Sequence, residues 1–103
     1  MVKPVAGFGP RAVRDLREIA EAIAGDNPEA ATQVRLAILD AADLLAQHPN
    51  LGQRIRHATT RHSEIRWMVV PRYRNYLLFY LPRTEGIRVL RVLHAARDWT
   101  RML

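Results

Sequence analysis

The amino-acid sequence predicts an α+β fold in which an N-terminal antiparallel helix hairpin packs on one face of a three- to four-stranded, mainly antiparallel sheet. In the first half of the chain, apolar residues recur at three- and four-residue steps, which is typical of amphipathic helices. The second half contains β-branched and aromatic runs separated by Pro and Gly, a pattern that favours strands joined by hairpins. Because 103 residues suffice for one domain, we expect residues 1–103 to form a single domain.

Both predicted helices have recognisable ends. The first begins at Gly9-Pro10, where proline in the first turn loses no hydrogen bond, and Gly25 is expected to end it. The second begins at Asn27-Pro28-Glu29, which supplies an N-cap, a proline and an acid, and it ends at His48 before Pro49. Because only two or three residues connect the helices, they should pack antiparallel. Their predicted apolar stripes are Val13, Leu16, Ile19, Ala20 and Ile23 in the first, and Ala31, Val34, Ile38, Ala41, Leu44 and Leu45 in the second.

Three strand-like runs follow, at residues 65–70, 75–81 and 87–94. The last two are more apolar than simple alternation predicts, so we expect them in the middle of the sheet. Residues 2–8 are expected to add at most a short edge strand, because Pro4 cannot donate to a ladder. Residues 53–63 are expected to form a loop or a short irregular strand.

Positive charge is concentrated in the second half of the chain. The whole chain has 16 Lys and Arg against 10 Asp and Glu, a net charge of +6. Residues 1–50 carry a net charge of −2 and residues 51–103 a net charge of +8. A half-chain this basic indicates an anionic partner, either nucleic acid or an acidic protein segment. The alternative is a solvated basic face without a partner.

Composition argues against several function classes. The chain has no cysteine, which excludes disulfides, thiolate catalysis and iron–sulfur clusters and fits the cytoplasm, where we expect the protein to act. No apolar run approaches the roughly 18 residues of a membrane span, so no membrane partner is expected. A serine triad is excluded because the one serine, Ser63, has no suitable context. His57 and His62, five residues apart in a predicted loop of a chain without thiols, are a poor ligand set, so no metal or cofactor is expected.

Ribonuclease chemistry stays open at this point. Cleavage of RNA through its own 2′-hydroxyl needs a base, an acid and a cation that stabilises the charged transition state. An arginine-rich sheet can supply these groups, and the candidates are Arg74, His94 and Arg97. The structural alternatives are a strand-end histidine bonded to backbone and a local salt bridge or helix start at Arg97-Asp98.

The C-terminal stretch Gly86–Asp98 resembles the ending of RelE/ParE-superfamily toxins from bacterial type II toxin–antitoxin systems. Pro10–Ile19 is similar to the first helix of that superfamily, and Leu44–Gly52 to the end of its second. Ile65-Arg66 resembles the opening of the next strand, and Tyr76–Tyr80 its tyrosine-containing strand. The resemblance spans nearly the whole chain and implies a RelE/ParE toxin-like fold.

The superfamily has two well-known branches with different activities. The RelE branch cuts mRNA in the ribosomal A site, and the ParE branch inhibits DNA gyrase. In the mRNA-cutting branch an arginine usually follows the first tyrosine of that strand, and a tyrosine or histidine near the C-terminus contributes to cleavage; this chain has Leu77 and Trp99 there. The ending His94-x-x-Arg97-Asp98 looks more like the ParE branch, although Arg74 could replace the missing cation.

The resemblance therefore implies a ParE-like toxin that inhibits DNA gyrase, causes growth arrest and contributes to plasmid or genome stabilisation. The alternatives are a RelE-like ribosome-dependent mRNA endoribonuclease, acting on ribosome and mRNA, and a non-toxic binding module that acts only with its partner.

The resemblance also implies a cognate antitoxin, whose acidic amphipathic C-terminal segment would form a hetero-oligomer with this chain. A groove between hairpin and sheet, or an open sheet edge, is expected to receive that segment. The antitoxin-binding cations are expected to be those on or beside strands: Arg66, Arg74, Arg88 and Arg91. The toxicity surface is expected to comprise His94, Arg97, Asp98 and Trp99.

Overall fold

A computed structural model describes residues 3–55 and 64–97 of the chain. Its elements, in order, are β1 (Val5–Phe8), α1 (Pro10–Ala24), α2 (Pro28–Gln47), β2 (Gln53–Arg54), β3 (Arg66–Val69), β4 (Tyr76–Arg83) and β5 (Gly86–His94). No helix in this described part is long and apolar enough to cross a membrane.

The strands form one sheet in the order β1-β5-β4-β3-β2. Every neighbouring pair is antiparallel except β1 and β5, which are parallel. The predicted α+β class and the interior position of β4 and β5 are confirmed. The predicted number of strands was wrong, because the sheet has five strands and not three to four. The four-residue β1 is the short edge strand expected within residues 2–8, and the strand beyond the predicted number is β2, whose two residues are too few for a strong sequence pattern.

The helix hairpin forms largely as predicted. In α2, Asn27 Oδ1 accepts the backbone N–H of Ala30 at 3.1 Å, which caps the first turn. The C-cap of α2 is His48, directly before Pro49. Gly25 follows α1, but its φ of −56° is right-handed, so its special conformational freedom is not what ends the helix.

The main core lies between the helices and one face of the sheet. Ala12, Ile38 and Leu45 of the helices are fully buried in the same cluster as Tyr80 and Val89 of the sheet. Burial of an Ile or Leu side chain stabilises the fold by about 1.5–3 kcal/mol.

The predicted stripes were partly wrong. Val13 and Leu44 are 42% and 41% exposed, whereas Ala12 and Asp15 of α1 are buried. The buried arc of α1 is rotated because Asp15 turns towards β5, where it has hydrogen-bond partners.

A smaller apolar cluster, here called the outer cluster, lies on the sheet face away from the helices. Its buried members are Ile65, Phe79 and Leu93, and the partly buried residues around them are Ile55, Trp67, Leu77, Leu81 and Leu90. Both faces of β4 and β5 are therefore apolar, which explains why their sequences do not alternate cleanly.

The hydroxyl of the buried Tyr80 in β4 holds the segment that follows α2 through two hydrogen bonds. The Tyr80 hydroxyl accepts the Gly52 N–H at 2.9 Å and donates to the Pro49 carbonyl oxygen at 2.8 Å. Burial raises the pKa of Tyr80, so the hydroxyl stays protonated and able to donate. Gly52 is required at this contact, because a β-carbon there would lie 2.5 Å from the Tyr80 oxygen and 2.9 Å from the Trp67 carbonyl oxygen.

We expect Tyr80→Phe to lower the free energy of unfolding by about 1–3 kcal/mol, because it leaves a buried N–H and carbonyl without their partner. Urea denaturation measures the loss. The matched control is Tyr73→Phe, whose hydroxyl has no hydrogen bond to the described residues and should change stability by less than about 0.5 kcal/mol. Equal effects of the two substitutions would show that the Tyr80 hydroxyl does not fasten this segment.

Candidate functional site

The candidate site begins with a buried ion pair between helix and sheet. Arg91 of β5 donates from Nε to Asp15 Oδ2 at 2.7 Å and from Nη2 to Asp15 Oδ1 at 2.8 Å. Both residues are buried, with 8% and 7% of Asp15 and Arg91 exposed. Hydrogen bonding to Asp15 raises the pKa of Arg91, which outweighs the opposite effect of burial. The pair is therefore a charge-assisted, bidentate contact between two residues that are 76 positions apart in the sequence.

The Asp15 carboxylate also provides a hydrogen-bond acceptor where β5 has no neighbouring strand. β1 pairs with β5 only from Gly86 to Val89, so β5 continues beyond the end of β1. In this overhang the Val92 N–H donates to Asp15 Oδ2 at 3.0 Å. Asp15 thus holds the last part of β5 against α1. We call the three residues Asp15, Arg91 and Val92 the clamp.

A bulge in β5 precedes the clamp. Val89 lies opposite Tyr80 and Arg91 opposite Phe79, so Leu90 is the extra residue. Regular alternation would place residues 89 and 92 on opposite faces of the sheet. Because the bulge adds one residue, Val89 and Val92 both pack in the main core. Without the bulge, alternation from Val89 would direct Arg91 into that core.

Beyond the clamp, the chain turns at the end of β5. The His94 ring packs edge-on against Tyr76, with ring centroids 5.6 Å apart and an interplanar angle of 82°. The Ala96 N–H donates to His94 Nδ1 at 3.1 Å, and the Arg97 N–H donates to the His94 carbonyl oxygen at 3.0 Å. Because Nδ1 accepts a hydrogen bond, neutral His94 carries its proton on Nε2. Two local bonds therefore fix the imidazole and the following backbone.

A cleft of about 250 Å³, here called the strand-end cleft, lies beside this turn. Its lining includes Asp15, Glu18, Ile19, Tyr76, His94 and Arg97. No group of three His, Cys, Asp or Glu residues able to hold a metal is found within residues 3–55 and 64–97. The cleft therefore presents carboxylates and a guanidinium beside apolar side chains such as Ile19.

The structure brings the three predicted nuclease candidates to one end of the sheet. The Ala95 N–H donates to the Asn75 carbonyl oxygen at 2.6 Å, which joins the β3–β4 turn to the end of β5. Arg74, in that turn, is exposed, as are His94 and Arg97. Asp98 and Trp99, predicted to complete the toxicity surface, lie outside the described residues.

The four predicted antitoxin-binding arginines have different surroundings. Arg91 belongs to the clamp, so its charge is matched within the fold and not offered to a partner. Arg66 is half-buried and donates to the Gly52 and Asn50 carbonyl oxygens at 2.7 and 3.3 Å. Arg74 and Arg88 are exposed.

Arg74 and Arg88 also lie far apart on the sheet. Arg88 is opposite Leu81, five residues along β4 from Tyr76, which corresponds to roughly 17 Å at strand spacing. The exposed arginines therefore belong to two separate surfaces and not to one patch.

Sequence reasoning missed Asp15, although the residue stands inside the helix motif that carries the resemblance. The available signal was an acid next to the apolar stripe, between Ala12 and Leu16. Nothing in the local sequence identifies its partners, because Arg91 and Val92 are distant along the chain.

Comparison with known proteins identifies the family. The model of the family described as "ParE toxin of type II toxin-antitoxin system, parDE" matches residues 8–99. Y4kP of Sinorhizobium fredii is 34% identical over 93 residues, covering 90% of each chain. Toxin RelE2 of Caulobacter vibrioides is 36% identical over 87 residues, covering 84% of this chain and 90% of its own length.

The fold agrees with that match. A solved chain from the chromosomal ParDE TA system of P. aeruginosa superimposes with a TM-score of 0.70 at 18% identity, covering 88% of this chain and 95% of its own. The sequence and the fold thus define a toxin of the type II toxin–antitoxin class. The chain belongs to the ParE toxin family, and the superfamily resemblance predicted from the sequence is confirmed.

We expect Asp15→Ala to lower the free energy of unfolding by about 3–5 kcal/mol, because it leaves a buried guanidinium without its counter-charge and frees the Val92 N–H. Thermal or urea denaturation measures the loss. Asp15→Asn can still accept the hydrogen bond of the Val92 N–H, so it should lower the free energy of unfolding by less. The difference between the two variants separates the contribution of the charge from that of the backbone hydrogen bond. Glu21→Ala removes an exposed carboxylate from the same helix and should change stability by less than about 0.5 kcal/mol. A tolerated Asp15→Ala would contradict the clamp.

Proposed function

We propose that this ParE-family toxin inhibits DNA gyrase in the cytoplasm and is neutralised by a cognate antitoxin. The observation that carries the choice of target is the placement of Leu77. This residue follows Tyr76, where the mRNA-cutting branch usually has an arginine, and its side chain packs in the outer cluster. A catalytic cation is therefore missing at that position, which favours the gyrase-inhibiting branch.

The proposed toxicity surface is the end of β5 with the turn after it. His94 ends β5 and Arg97 lies in the turn after it, and both are exposed and line the strand-end cleft. The clamp holds the end of the strand from which this turn begins. The proposal also includes Asp98 and Trp99, the next two residues of the sequence. In this proposal the surface binds gyrase and performs no chemistry, so the toxin is an inhibitor and not an enzyme.

The proposed antitoxin supplies an acidic amphipathic segment that forms a hetero-oligomer with this chain. A net charge of +8 on residues 51–103 favours fast association with such a segment. Among the predicted cations, Arg74 and Arg88 are exposed and therefore suited to it, and Arg66 presents a half-buried guanidinium. Arg91 has a structural role in the clamp.

We expect Arg97→Ala to relieve growth arrest in cells and to weaken inhibition of supercoiling by purified gyrase at least tenfold, while antitoxin binding changes less than about twofold. The change removes a cation from the proposed gyrase-binding surface and leaves the exposed antitoxin-binding arginines intact. Arg83→Ala, at the opposite end of β4, is the matched control and should stay toxic. An Arg97→Ala variant that remains fully toxic would refute this surface.

The second candidate function is ribosome-dependent cleavage of mRNA, favoured by the grouping of Arg74, His94 and Arg97 at one end of the sheet. Supercoiling and ribosome-cleavage assays on the same preparation separate the two. Inhibition of gyrase alone supports the proposal, and mRNA cut at A-site codons with unaffected gyrase contradicts it. A preparation that shows neither activity would indicate a non-toxic binding module, and this result would also contradict the proposal.

A further inference from the structure

A second cleft, here called the arginine cleft, lies where β1 leads into α1. Its volume is about 260 Å³, and its lining includes Pro10, Arg11, Ile65, Arg88, Leu90 and Arg91. The clamp separates the two clefts, because Asp15 lines the strand-end cleft and Arg91 lines this one. The arginine cleft is thus a different surface from the one that holds His94 and Arg97.

The arginine cleft carries uncompensated positive charge. Arg91 is matched by Asp15, but within residues 3–55 and 64–97 no carboxylate forms an ion pair with Arg11 or Arg88. The Arg88 guanidinium lies close to the backbone at the cleft, since a β-carbon on Gly9 would be 3.3 Å from its Nη2. Two like charges that share a cleft repel each other, and a bound anion would remove that cost.

The remaining lining of the arginine cleft is aliphatic. Pro10 and the half-buried Leu90 provide apolar surface, whereas Ile65 is only 6% exposed, and no aromatic side chain is among the described residues that line the cleft. Single-stranded nucleic acid is usually bound by stacking bases on aromatic rings, which this cleft does not offer. Guanidinium groups beside an aliphatic surface suit a carboxylate next to an aliphatic side chain.

We propose that the arginine cleft binds an acidic peptide segment, with a Glu or Asp side chain held by Arg11 and Arg88 and a neighbouring aliphatic side chain in contact with Pro10 and Leu90. The identity of the segment rests on the proposed function, under which it belongs to the antitoxin. The arginine cleft then gives the antitoxin a binding site outside the strand-end cleft.

The test is a fluorescence-anisotropy titration of the purified chain. The probe is a fluorescein-labelled synthetic 12-residue peptide in which Glu and Leu alternate. Arg11→Glu and Arg88→Glu should each raise its Kd about tenfold or more and make binding less dependent on salt. Arg35→Glu, on the exposed face of α2, changes the net charge equally and should leave Kd within about twofold.

The variants should fold, because both positions are exposed, and an acid at residue 11 suits the first turn of a helix. Circular dichroism melting checks this, and Arg11→Gln and Arg88→Gln, which should raise Kd about threefold or more, replace any charge-reversed variant that does not fold.

Arg11 and Arg88 variants that bind the acidic peptide probe as well as Arg35→Glu does would overturn the inference. So would a loss of affinity confined to a labelled 20-nucleotide single-stranded DNA, which would make the cleft a nucleic-acid site. Growth arrest by the unaltered chain is scored separately. A chain that causes no arrest contradicts the proposed function, while the titrations still decide whether this cleft binds an acidic peptide.

Discussion

The carboxylate of Asp15 is the contact on which the arrangement of this molecule depends. It accepts three hydrogen bonds, two from the Arg91 guanidinium and one from the Val92 backbone. β5 is longer than the strand beside it, and its overhang would otherwise present an unpaired N–H at the sheet edge. The Asp15 carboxylate on α1 accepts the hydrogen bond of this N–H, and the Arg91 guanidinium compensates the buried negative charge. The end of β5 is thereby joined to the helix hairpin.

This contact has consequences for both clefts. His94 follows Val92 by two residues, so the turn that carries His94 and Arg97 begins from a fixed strand end. On the other side, Arg91 forms part of the arginine cleft while its charge is already matched. The proposed gyrase-binding surface and the proposed antitoxin anchor therefore share one structural element without sharing residues. Such separation suits a toxin that has both a target and an antitoxin. Tight binding of the antitoxin at one surface then places no constraint on the residues of the gyrase-binding surface.

The parts of the fold that were predictable are those with many residues in one pattern. Both helices repeat their apolar spacing over several turns and carry clear start signals, and β4 and β5 are eight and nine residues long. The two-residue β2 has no such pattern, since Gln53 and Arg54 are polar and their pairing depends on β3. The bulge at Leu90 was also unpredictable, because it arises from the pairing with β4 and not from the local sequence.

The same distinction applies to the candidate site. His94 and Arg97 could be proposed from a contiguous motif, but the use of an arginine depends on what surrounds it in three dimensions. Arg88 and Arg91 are three residues apart in one strand, yet Arg88 is exposed and Arg91 is buried against Asp15. Charge alone predicted the same role for both. The partner of Arg91 lies 76 residues away, beyond the reach of any local pattern.

Hydrogen exchange at the Val92 amide tests the clamp most directly. In the unaltered chain this amide should exchange nearly as slowly as that of Leu78, in the centre of the sheet. In the Asp15→Ala variant, under conditions where Leu78 remains protected, Val92 should exchange at least tenfold faster relative to Leu78. An unchanged ratio between the two amides would contradict the claim that Asp15 holds the end of β5.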